Sequence, residues 1–425
     1  MLLVSSREAQ LRDVEDRARP RPADPRREAL LATLREVVER LAPIERTPCS
    51  AGEREAAQWL ARRLGAIAQL EVALEDEPAW GTFPPTATAL GALGVLGAAL
   101  ALRGRRAAGV LLGAASAAGI VDEAQNGPRS VRRLARRRRA TVNVIARVPP
   151  RPGAAEQREP VTFVVIAHHD APQTGFIFDQ TVHRRLHALA PELIEGIKTS
   201  PPQWWFGLAA PLLTLATALT GRRRFAAAGL AIGALGTLAA ADVWRGATVA
   251  GANDNLSGVA ALVALAELLG REPLPGVRVL LVSCGAEETL QDGIRAFVAR
   301  HRAELDPART HFVNLDTIGS PRLVMLEGEG PIWMEDYAGP WLREQLAACA
   351  QRLGIGLRRG YRARASTDSV IPSRAGYATA TLVSITPWGT PANYHLPSDV
   401  PANLDYDTVA DATSLVHELV RAHSS

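Results

Sequence analysis

Four short apolar runs in this chain each lead into a histidine or a carboxylate. VTFVVIA (Val161–Ala167) ends at His168 and VRVLLVS (Val277–Ser283) stops just before Glu287. HFVNL (His311–Leu315) runs into Asp316, and ATATLVSI (Ala378–Ile385) precedes the loop that carries His395. Runs this short, apolar on both sides, predict buried strands of an α/β sheet. Polar groups gathered past strand C-termini lie where open α/β sheets place their sites. The segment LSGVAALVALAELL, following Asp254 and Asn255, has helical spacing and stops before Pro273 and Pro275. The expected core is therefore an α/β domain whose mixed, mostly parallel sheet is flanked by helices.

The residues at those strand ends form a chemical set. AHHD supplies His168 and Asp170, GANDNLSG supplies Asp254, GAEE supplies Glu287 and Glu288, NLDTIG supplies Asp316 and NYHLPSD supplies His395. Zinc accepts neutral imidazole nitrogen and carboxylate oxygen at about 2.0–2.2 Å. Two ions about 3.5–4 Å apart can clamp an attacking water and a substrate oxygen together. Asp254 is the bridging candidate, since its two oxygens can each reach one ion. His168 and Asp316 would complete one ion, and Glu288 and His395 the other. Asp170, two residues beyond His168, would accept the second imidazole N–H and fix the tautomer. Glu287, adjacent to a ligand but facing elsewhere, suits a general base. His169 should turn to the opposite side of its strand.

Taken in order, AHHD, GANDNLSG, GAEE, NLDTIG and YHLPSD resemble metallopeptidase family 28. This family contains di-zinc aminopeptidases, with relatives among carboxypeptidases and glutaminyl cyclases. TPCSAGEREAAQWLARRL (Thr47–Leu64) resembles the family's opening helix, and TVNVIARVP (Thr141–Pro149) its edge-region strand. The resemblance covers most of the chain outside two insertions. It implies zinc ligands at His168, Asp254, Glu288, Asp316 and His395, a base at Glu287, and a cis Asp254–Asn255 bond. Tyr394 resembles a tyrosine that stabilises the oxyanion in some members. There are two departures. Ser366, Thr367, Asp368 and Ser369 stand where many members have Ser-Asp-His, and about 80 residues separate AHHD from GANDN, where relatives use a short loop.

Much of that spacer is apolar, as is an earlier segment. The first insertion, 86–121, is interrupted by Arg103, Gly104, Arg105 and Arg106; the second, 204–241, by Gly221 to Arg224. Each reads as two apolar segments of about 15–19 residues around an arginine turn, at the short end of the roughly 17–25 residues that span a bilayer. Their Ala, Gly and Leu content suits close helix packing in lipid. Trp80, Phe83, Trp204–Phe206 and Trp244 flank the outer ends like an interfacial belt. The expected organisation is a tail at 1–26, peptidase segments at 27–85, 122–203 and 242–425, and two transmembrane hairpins contributing four helices. The competing reading is a pair of buried hairpins in a soluble protein.

Basic residues on the catalytic side (Arg129, Arg132, Arg133 and Arg136–Arg139) outnumber those at the tips. By the positive-inside rule this puts the peptidase domain in the cytoplasm, on a bacterial inner membrane crossed several times. The Arg136–Arg139 run would meet anionic headgroups. No aromatic residues interleave it, which argues against nucleic acid as a partner. Three cysteines form no disulfide framework. The expected function is a membrane-anchored di-zinc exopeptidase (other divalent metals remaining possible), acting on peptides with aminopeptidase as the leading activity. Glutaminyl-cyclase-like acyl transfer and an inactive membrane scaffold are the alternatives. Oligomeric state, side-chain preference and the terminus attacked stay open.

Overall fold

The computed structural model describes residues 24–151 and 160–424. Residues 1–23, most of the expected tail, lie outside the described residues. A helix begins at Pro25, inside the last residues of that tail. Asp24 accepts a hydrogen bond from the Arg26 backbone N–H and starts helix α1 (Pro25–Leu41), with Pro25 in the first turn where its missing N–H costs nothing.

Among the described residues, nine strands form one sheet: β1 (Glu71–Ala79), β2 (Arg139–Val148), β3 (Val161–His168), β4 (Val277–Cys284), β5 (Thr310–Leu315), β6 (Arg322–Glu329), β7 (Glu335–Asp336), β8 (Arg358–Ala363) and β9 (Ala378–Ile385). The spatial order is β1-β2-β4-β3-β5-β9-β6-β7, with β8 beside β6. Strands β4, β3, β5 and β9 run parallel at the centre, while β2 and β6 flank them antiparallel. All four apolar runs become these central strands. Alternate residues face opposite cores. Val165, Ala167 and Val279 pack with α1, α2 (Ala51–Gly65), α7 (Ser257–Arg271) and α10 (Tyr406–Arg421). Val164, Ile166 and Leu280 pack with α8 (Asp292–His301). Helix α9 (Pro340–Leu353) completes the first layer.

The insertions fold as two helical hairpins, α3 (Pro84–Leu102) with α4 (Arg106–Ala124), and α5 (Trp205–Thr220) with α6 (Arg223–Arg245). All four helices pack together as one bundle. Small residues permit the approach: a Cβ on Gly97 would lie 2.8 Å from the Gly109 carbonyl oxygen, and one on Gly233 2.5 Å from the Ala210 Cβ. The two arginine turns meet at the far end, where Arg106 Nη2 donates to the Gly221 carbonyl at 3.4 Å. Three of the helices, α3, α4 and α6, are long and apolar enough to cross a membrane, not four. Helix α5 has only 16 residues, because Gly221 in the left-handed conformation closes its C-terminus.

Candidate metal centre and active site

The C-terminal ends of the parallel strands bring the predicted residues together. His168 closes β3, Asp316 follows β5, Glu287 and Glu288 follow β4, and His395 lies in the loop after β9. Asp254 arrives from the turn before α7. Asn255 stitches that turn to β5: its Oδ1 accepts from the Gly258 and Thr317 amides, and its Nδ2 donates to the Leu315 carbonyl. The Asp254–Asn255 peptide is cis. A Cβ at Gly258 would come within 2.3 Å of the Leu315 oxygen, so only glycine allows this contact.

Asp254 lies between both imidazoles. Its Oδ1 is 3.2 Å from His168 Nε2 and its Oδ2 is 3.1 Å from His395 Nε2. His395 Nε2 also lies 3.5 Å from Glu288 Oε1. Three groups of donor atoms lie within 4.8 Å of one another: His168–Asp254–Asp316, Asp254–Glu288–His395 and His168–Glu287–Glu288. The first two are the sets expected for two ions, and they share Asp254. Glu287 converges on the same space rather than facing away.

Asp170 does more than hold an imidazole. Its Oδ1 is 3.4 Å from His168 Nδ1 and accepts from the Glu287 amide at 3.1 Å, while Oδ2 accepts from the Glu288 amide at 2.9 Å. One carboxylate thus sets His168, Glu287 and Glu288 together. Behind the turn, Glu53 accepts from the Ala286 amide at 2.8 Å and from Thr141 Oγ1 at 2.9 Å. Ala286 and Gln291 both adopt left-handed conformations, uncommon away from glycine, and this anchoring holds them there. Gln291 Nε2 donates to Glu287 Oε1 at 2.6 Å. His169 faces the other way, with Nδ1 3.0 Å from Ser283 Oγ.

Buried charge dominates the electrostatics. Burial alone would lower His168, but Asp170 and Asp254 hold its imidazole well above the usual range. Burial would raise Asp254, but His168 and His395 keep it well below the carboxylate range. Burial pushes Glu287 and Glu288 well up, with neighbouring carboxylates adding to it, and pushes Asp316 and Asp368 to about 7. Six carboxylates (Asp170, Asp254, Glu287, Glu288, Asp316 and Asp368) therefore crowd two imidazoles. Neither ring nitrogen of His395 nor either oxygen of Asp368 has a hydrogen-bond partner among the described residues. Such a surplus of inward-facing anionic and imidazole donors fits divalent cations, which would let the carboxylates ionise together.

Three contributors were not singled out from the sequence as site residues. Asp399 accepts from the Asn253 and Asp254 amides at 2.7 and 3.1 Å, orienting the shared carboxylate; it closes the YHLPSD motif, so its signal was present. Asp368 is buried against the cluster, at the position where Ser-Asp-His departs from the common pattern. Phe178 stacks 4.3 Å from His395 and 5.8 Å from Tyr394. It sits inside the long spacer, where no local pattern marks it. Tyr394 borders the donor cluster, and burial keeps its phenol protonated, well above its ordinary range. Cys284 is a buried free thiol that burial likewise holds protonated.

Residues 235–420 match the sequence profile of peptidase family M28. Over this segment the chain is similar to that family. The segment contains Asp254, Glu287, Glu288, Asp316 and His395; His168 and Asp170 lie upstream and join through the fold. A comparison with curated proteins returned no match. Among solved structures, LapB from Legionella pneumophila is similar at 13% identity and a TM-score of 0.52, over 94% of this chain and 76% of that one. An aminopeptidase from Aneurinibacillus sp. strain AM-1 is similar at 13% and 0.52, over 92% and 93%. Bacteroides thetaiotaomicron glutaminyl cyclase is similar at 13% and 0.52, over 92% and 97%. At these identities the likeness establishes the α/β fold alone.

Proposed function

We propose that this chain is a member of peptidase family M28 and a membrane-anchored di-zinc exopeptidase, with aminopeptidase as the leading activity. One observation carries the reading: two three-donor groups share Asp254, whose two oxygens each approach a different imidazole. His168 and Asp316 would hold one ion and Glu288 and His395 the other. Zinc bound there would polarise the scissile carbonyl and acidify the attacking water. Glu287 accepts the proton of that water at its carboxylate and returns it to the leaving nitrogen. Gln291 and Asp170 aim Glu287, and the protonated Tyr394 hydroxyl donates to the oxyanion as negative charge develops. Cyclase-like transfer is the second reading, supported by the similar glutaminyl cyclase fold; two complete donor groups favour the two-ion hydrolase over a one-ion cyclase. Retention of every donor also disfavours an inactive scaffold.

The bundle supports the anchor. Leu96, Leu111, Leu212, Leu219, Leu235 and Leu238 are all at least half exposed around it. Exposed leucines on helices of this length and hydropathy suit a lipid surface better than water. The peptidase domain is read as cytoplasmic, in a bacterial inner membrane. Digestion of a peptide library by purified protein, read by mass spectrometry, tests the activity. Stepwise loss of N-terminal residues, abolished by a chelator and restored by zinc, is expected; internal cleavage or chelator-resistant activity would overturn it.

A further inference from the structure

The donor cluster opens in two directions. One cleft, of about 140 Å³, lies on the sheet side and is lined by His168, Asp254, Asp316 and Arg364 among others. The other, of about 170 Å³, runs from Glu287, Glu288 and His395 into the helical bundle. Its far walls come from all four helices: Ala87 of α3, Ile120 of α4, Gly207 of α5 and Ala240 of α6. Phe83 and Trp204, in ring contact at 5.3 Å, also line it. Apart from the donor residues, Gln203, Thr237, Gln291, Ser366 and Arg364, this wall is apolar, and the residues at 207 and 240 are small. Arg364 lines both clefts, and its guanidinium has no carboxylate partner among the described residues. A peptidase acting on ordinary peptides does not need a channel between the helices of its anchor.

We propose that the substrate is an amide with a long apolar acyl chain on the carbonyl side and a carboxylate on the amine side, an N-acyl amino acid or N-acyl peptide. The acyl chain lies in the bundle cleft, the amide carbon sits at the donor cluster, and Arg364 holds the carboxylate. The inference rests on the hydrolytic reading of that cluster. Water adds across the amide: the C–N bond breaks, a C–O bond forms, and Glu287 carries the water proton to the leaving nitrogen. A fatty carboxylate and an amino acid are released. A chain dissolved in the bilayer would enter directly from the bundle side.

The test uses full-length protein in nanodiscs with zinc, and N-acyl leucines of two to sixteen acyl carbons. Because each buried methylene adds binding, kcat/KM should rise by about tenfold or more from acetyl to dodecanoyl. Gly207→Leu, or Ala240→Phe should the first fail to fold, should cut the dodecanoyl-to-acetyl ratio by about tenfold. N-dodecanoyl-leucine should be preferred over its leucinamide, and Arg364→Ala should remove that preference. Equilibrium dialysis of N-dodecanoyl-leucine on the Glu287→Gln protein supplies a readout without turnover: saturable binding is expected, weakened by Gly207→Leu. Hydrolysis of free peptides with a flat acyl-length profile and no saturable binding would overturn the acyl cleft while leaving the peptidase intact. Saturable, Gly207-dependent binding with no hydrolysis of any amide would keep the cleft and overturn the hydrolytic reading.

Discussion

The rim of the sheet and the bundle beside it solve opposite problems. At the rim, carboxylates and imidazoles are buried with few protein cations to neutralise them, an arrangement that invites metal. In the bundle, glycine and alanine bring backbones together and leucines face outward, an arrangement that invites lipid. The seam between them is neither. Arg132 pairs with Glu123 at the end of α4 and donates to the Thr289 carbonyl, while Arg129 pairs with Asp292 at 2.5 Å and also reaches Thr289. Thr289 belongs to the turn that carries Glu287 and Glu288. The first hairpin is thus bolted to the turn bearing Glu287 and Glu288 by buried charge. These arginines, counted in the sequence with a basic run facing headgroups, are internal; Arg137, Arg138 and Arg139 remain exposed.

This contrast ranks the effects of substitution. Asp254→Ala at the rim should remove the shared donor and with it both ions, taking turnover below detection; metal analysis of the variant beside its activity checks this. Glu287→Gln should cost about 10²–10⁴-fold in turnover while both ions stay bound, because it deletes a base and not an essential donor. Near-normal turnover in that variant would remove Glu287 from its role. At the seam, Arg132→Ala leaves Glu123 buried and unpaired. The expected loss is about 3–5 kcal/mol of stability, read by thermal unfolding, with a smaller fall in turnover as the turn loosens.

A subtler effect belongs to Glu329, behind Tyr337 and Thr367. Burial raises its carboxyl from 4.5 to about 8 in the folded chain. Its stabilising contribution is therefore complete below about pH 4.5 and is lost as pH rises through about 8. Glu329→Gln should flatten that decline in melting temperature across the same window. At the far tip, Arg106→Ala should change stability by no more than about 0.5 kcal/mol, since it removes one long, exposed hydrogen bond. A large effect there would mean that the tips carry the bundle.

The sheet was legible because burial on both faces writes itself as uninterrupted apolar runs, and all four became central strands. The donor set was legible because strand ends place neighbouring motifs at one rim. What pairs across long sequence distances was not. Nothing local announces that Asp170 caps Glu287 and Glu288, that Gln291 reaches Glu287, or that Phe178 lies against His395. The hairpins were visible as apolar segments, yet their mutual packing and the cleft they share with the rim arise only from folding. The ends of the helices also moved by a few residues, because capping by Asp24 and Gly221, not hydropathy, sets them.

The buried rim is proposed to hold two cations that share Asp254. Metal analysis of purified, active full-length protein tests it most directly. Roughly two zinc equivalents per chain are expected, removed by chelation together with activity and restored with it. Fully active protein holding one ion, or none, would contradict it.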